Sequence, residues 1–158
     1  MKPILTLGLL FLFLMPSNPS SAAELSGASS DIKQFIEKGL LQASKNARPS
    51  GPPVFIPVAY IRIAEPGKER RQWSTRSVPI PSARNVPNFP DEALKTLRAD
   101  LEIMKQNKSI DAYVLVHSFE EKVRIVVWDG EAPPVTFEAP CHSQADLGKL
   151  KIADFTSM

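Results

Sequence analysis

The chain has 158 residues, 19 basic and 17 acidic, with 43% hydrophobic residues, one Cys, two His and 15 Pro, a balance that fits one small globular domain rather than a disordered tail. No apolar run reaches the roughly 20 residues that a bilayer-spanning helix needs, which argues against a multi-span membrane protein. One Cys cannot close an internal disulfide, and with two His it supplies too few soft ligands for a zinc-finger array or an iron–sulfur cluster.

Residues 1–23 read as a secretory signal. Lys2 gives a positive start, Ile4 to Met15 an apolar stretch, and Pro16 to Ala23 a polar exit ending in small residues, so that cleavage after Ala22 or Ala23 finds a small side chain at the −3 and −1 positions. A lipid anchor at that point would need a Cys, and the single Cys is Cys141. The expected mature chain is therefore residues 24–158, one α+β domain with a soft C-terminal tail, periplasmic or secreted and without stable membrane insertion after cleavage. Lys2 is the only charged residue of the leader, so removing it leaves 18 basic and 17 acidic groups. That near-neutral balance predicts no nucleic-acid partner.

Asp31 to Lys45 places Ile32, Phe35, Ile36, Leu40 and Ala43 at helical spacing, and Ser30 or Asp31 can satisfy the first amides. A Pro/Ser/Gly loop from Asn46 to Pro53 ends this helix. Val54 to Ala64 and Arg70 to Ile80 read as two strands joined through Glu65-Pro66-Gly67-Lys68, with Pro57 predicting an edge or a bulge in the first. Pro79, Pro81, Pro87 and Pro90 stretch the next connection. A second helix opens at Pro90-Asp91-Glu92 and carries Ala93, Leu94, Leu97, Leu101 and Met104 on one stripe. Ala112 to Phe119 and Lys122 to Asp129 are the clearest strands, and Val135 to Ala139 is a fifth after Pro133-Pro134. The order is helix, hairpin, helix, hairpin, short strand, which raises the question of an internal duplication. The simplest packing is an antiparallel four- or five-stranded sheet with two helices on one face, since each helix has one apolar stripe to bury.

The densest local cluster is the basic hairpin 68–76. Alternation along a strand puts Arg70, Gln72, Ser74 and Arg76 on one face and Arg71, Trp73 and Thr75 on the other. Two Arg on a polar face can grip a carboxylate or phosphate, and Trp73 can stack on a ring or anchor a partner. Trp128, at the end of the second hairpin, is a further interface candidate if it faces out. Cys141-His142 invites a thiol reading because an imidazole can hold a thiolate, although adjacent residues in extended chain point to opposite sides. His117 with Cys141, or His117 and His142 around a metal, are the other arrangements, without HExxH or paired CxxC spacing to support them. No Gly-rich phosphate loop or nucleophile elbow is present, and no catalytic residue, metal site or cofactor is assigned.

The function expected from this balance is binding: an exported inhibitor, immunity-type or accessory factor acting on another envelope or secreted protein through Arg70, Arg71, Trp73, Arg76 and Trp128. Two alternatives stand beside it. One is a thiol- or metal-dependent enzyme using Cys141 with His117 or His142; the other is binding of an anionic surface or glycan through the basic hairpin.

Overall fold

In a computed structural model, residues 24–67, 72–78 and 89–158 are described. The elements are α1 (Ser30–Asn46), β1 (Val58–Ile63), β2 (Gln72–Arg76), α2 (Phe89–Gln106), β3 (Ile110–Phe119), β4 (Lys122–Trp128), β5 (Val135–Pro140), α3 (Gln144–Leu147) and β6 (Thr156–Ser157), with single 3₁₀ turns at Leu25–Gly27 and Ile152–Asp154. All strand pairs are antiparallel, in the order β2-β1-β3-β4-β5-β6. The expected mixed α+β architecture is present. The strand count is six rather than four or five, because the C-terminal residues add β6 to the edge of β5.

The sequence pattern predicts both helices on one face; instead α1 and α2 cover opposite faces of the sheet. Ile32, Ile36, Leu40 and Ala43 of α1 pack with Val58, Tyr60, Val114, Val116, Val123 and Ile125. Leu97 and Leu101 of α2 pack with the intervening residues Ala59, Ile61, Tyr113, Leu115, Val126 and Trp128. The physical reason lies in the strands: β1, β3 and β4 are apolar on both sides, so one layer of helix would leave half of that surface in water. The two α-β-β units are therefore not related by a two-fold axis, since a rotation that reverses the central strands β1 and β3 would keep both helices on one side.

Local chemistry sets the boundaries. Pro57, which lacks an amide proton, precedes β1 instead of lying inside it, and β1 becomes a central strand. Ser29 is the N-cap residue of α1, but its hydroxyl donates to Asp31 Oδ1, which accepts from the Ile32 amide at 3.0 Å. Gly39 lets α1 approach the sheet: a Cβ there would lie 2.7 Å from Val116 Cγ2 and 3.3 Å from Tyr60. The segment from Ser143 onward, expected to be soft, holds α3, a 3₁₀ turn and β6, and buries Leu147 and Phe155 in the α1-side core. The Ser143 hydroxyl accepts from the Asp146 amide to start α3. The leader 1–23 and the proline-rich stretch 79–88 lie outside the described residues.

Candidate binding surface

The largest polar constellation among the described residues is built around a charge placed in an apolar strand. Arg62 belongs to Val58–Ile63, and its side chain is only 7% exposed. A buried guanidinium is costly unless it is paired and hydrogen-bonded. Its Nη1 donates to Asp31 Oδ2 at 3.1 Å, and its Nε donates to Asp111 Oδ1 at 2.5 Å. The indole Nε1 of Trp73 donates to the same Asp31 oxygen at 3.1 Å, and the guanidinium carbon lies 5.7 Å from the centre of that ring.

Each partner arrives from a different element. Asp31 sits in the first turn of α1, where the helix dipole favours a carboxylate. Trp73 is the cross-strand neighbour of Arg62 in the β1–β2 pair. Asp111 is delivered by an irregularity in the β1–β3 register: Arg62 pairs with Ala112 and Ile63 with Ile110, so Asp111 is the unpaired extra residue. A bulge of this kind re-aims a side chain, and here it turns Asp111 to Arg62 while Ile110 and Tyr113 both stay in the α2-side core. Gly130, at φ 96°, passes beside that bulge; a Cβ would meet the Asp111 carbonyl oxygen at 2.5 Å.

The electrostatics follow this geometry. Partial desolvation pulls the Asp31 carboxyl upward, but hydrogen bonds from Ser29, Arg62, Trp73 and the Ile32 amide outweigh it and bring the group down to about 2. Burial works against the charged form of Arg62, yet the two carboxylates win and raise its pKa further. Asp31 and Arg62 therefore keep their opposite charges well below neutral pH.

Above it sits an aromatic platform. The Trp73 ring stacks on Phe35 with centroids 4.5 Å apart and planes 20° from parallel; Phe35 in turn leans on Tyr60 at 5.2 Å, and Lys38 Nζ lies 5.3 Å from the Phe35 centroid. Phe35 and Trp73 are both only partly buried. They lie beside β2, the edge strand of the sheet, whose other side chains are exposed.

The remaining sequence candidates are spread through the fold. Trp73 and Thr75 face the α1 side, and Arg76 faces the α2 side, where its Nη2 pairs with Asp100 at 3.1 Å. Arg70 and Arg71 lie outside the described residues. Trp128 faces inward, 8% exposed, against Tyr113, with Lys105 Nζ 5.4 Å from its ring centre. Cys141 and His142 point apart: the thiol is buried, and burial raises its pKa, whereas His142 is exposed and lies 3.5 Å from Glu121. His117 is 1% exposed on the α2 side, with Nδ1 3.1 Å from the Ser118 carbonyl and Nε2 3.4 Å from Arg98 Nη2. Since Cys141 belongs to the α1-side core, the sheet separates it from His117. Among the described residues no group of three or more His, Cys, Asp or Glu side chains converges as metal ligands.

Sequence reasoning read Phe35 as core, saw Asp31 only as a residue that could satisfy the first amides of α1, and did not single out Arg62, Arg98 or Asp111. The one signal for the cluster was Arg62 itself, an Arg inside an apolar strand, which requires a partner from elsewhere in the chain. No family model, curated protein or solved structure matches the chain.

Proposed function

We propose that the chain acts by binding, as an exported inhibitor, immunity-type or accessory factor, and that its contact surface for another envelope or secreted protein is the β2 edge with the Phe35–Trp73 platform. The observation that carries this reading is the partly exposed aromatic stack locked from beneath by Asp31 and Arg62. A Trp held in one orientation before binding loses little rotamer entropy on contact, which is why such residues dominate interface energetics. The adjoining edge strand supports the same reading, because an edge offers main-chain donors and acceptors to an incoming extended segment. The residue pattern 1–23 supports export.

The test is retention of partners by residues 24–158 from the extracellular or envelope fraction of the source cells, at low and at high salt. The proposal expects one species retained at both salts by the native sequence and lost by Trp73→Ala. Retention that survives Trp73→Ala, with the variant still folded, refutes the surface. Robust turnover of a common envelope substrate by the purified chain refutes the binding reading itself.

A further inference from the structure

At the opposite end of the sheet from Trp73 lies a cavity of about 570 Å³ between the loop that leads into β1, the first turns of α2 and the β3–β4 turn. We propose that this cavity binds a short segment of a partner protein in which an apolar side chain is flanked by Lys or Arg.

The occupant is argued from the walls. Pro52, Pro53, Val54, Pro90, Leu94 and Phe119 give an apolar floor, and Phe119 is 42% exposed although it is a large hydrophobe at the end of a strand. Among the described residues that line it, the rim carries the carboxylates Asp91, Glu120 and Glu121 against the cation Arg48, while Arg124, stacked on Phe119, is paired with Glu138. No ion pair engages Asp91, Glu120 or Arg48 among the described residues, and Glu121 has only His142 at 3.5 Å, an ion pair when that imidazole is protonated. An apolar floor inside a rim with two excess negative charges is complementary to a cationic, amphipathic segment and repels an acidic one.

The site is also formed in advance. The Arg48 amide donates to the Val54 carbonyl at 3.2 Å and closes the proline loop on itself, while Pro52, Pro53 and Pro90 have restricted φ. Glu120 takes a left-handed conformation, φ 52°, at the tip of the β3–β4 hairpin, and the Cys141 amide donates to the Glu121 carbonyl at 2.8 Å, which ties the backbone of the turn at Glu121. The guanidinium carbon of Arg124 lies 3.7 Å from the Phe119 ring centre, so one face of that ring is covered and its position is set. A rigid, preformed pocket of this kind binds without first ordering its own backbone. The cavity shares no lining residue with the β2 surface.

The experiment is selection of a displayed library of random nonapeptides on the immobilised folded chain, followed by titration of the enriched peptides against the native protein and the variant D91N/E120Q/E121Q. Thermal unfolding of the variant checks that its fold is intact; all three changes are at exposed positions. The expected result is enrichment of sequences with Lys or Arg around a Leu, Met or Phe, affinity at least about tenfold weaker for the variant, and marked weakening of native binding at high salt. No enrichment, enrichment of neutral or acidic sequences, or equal affinity for the two proteins overturns the proposal. Loss of cationic-peptide binding in Trp73→Ala with retention in D91N/E120Q/E121Q would also overturn it, by assigning such peptides to the β2 surface.

Discussion

Acidification from pH 7 to pH 5 is expected to remove about 2 kcal/mol of stability through His117 alone. The imidazole is buried against α2. Desolvation is the main cause that pulls its pKa from 6.5 down to about 4; the Ser118 carbonyl acts in the opposite sense, and the charges of Arg98 and Arg124 reinforce the decrease. The folded state thus holds the imidazole neutral, with one ring nitrogen on the Ser118 carbonyl and the other facing Arg98. The unfolded chain takes up a proton near 6.5 and the folded chain only near 4, so stability is complete above the unfolded value and is lost as the pH falls toward the folded one. The full difference corresponds to about 3 kcal/mol, of which about 2 falls between pH 7 and 5. Asp31 does not blur this window, because its carboxyl titrates from 3.8 in the unfolded chain to about 2 in the folded one, and its contribution is lost only below pH 4. Urea unfolding of the native chain and of His117→Gln at a series of pH values measures the effect. The native chain should lose stability over this range and the variant should show a flatter profile. Equal stability of the native chain at both pH values, or the same slope in the variant, refutes the argument.

Other expectations rest on separate contacts. Gly39→Ala should destabilise by about 1–2 kcal/mol in thermal or urea unfolding, although Ala favours a helix by about 1 kcal/mol, because the added Cβ meets the stiff, fully buried Val116 side chain at 2.7 Å. Arg62→Met should lose about 2 kcal/mol, since it leaves Asp31 and Asp111 without their central cation, and should shift the Trp73 fluorescence. Cys141 should react with a thiol reagent slowly in the folded chain and rapidly in denaturant, as its sulfur is buried and donates to the Ser143 carbonyl at 3.4 Å.

The elements themselves were legible because their signals are local. The stripe from Ile32 to Ala43 and the run from Leu94 to Leu101 mark α1 and α2, and the β-branched Val123, Ile125, Val126 and Val127 mark β4. Which face each helix covers was not legible, because an apolar stripe records that burial occurs and not where. The clue was the run from Ala112 to Val116, buried at every position, which requires cover on both sides. The Arg62 cluster joins residues 31, 62, 73 and 111, and its geometry depends on a bulge at Asp111 that no turn residue announces. The proline-walled cavity likewise combines three distant segments, so the exposed Glu120 and Glu121 read only as a solvated turn.

Binding through the β2 edge can be tested by site-specific photo-crosslinking in the source cells, with a photoreactive side chain at position 75 on the exposed edge strand and, as control, at position 154 on the far 3₁₀ turn. A single protein adduct is expected at position 75 and none at 154. Absence of an adduct at position 75, or the same adducts at both positions, would contradict a binding function centred on β2 and Trp73.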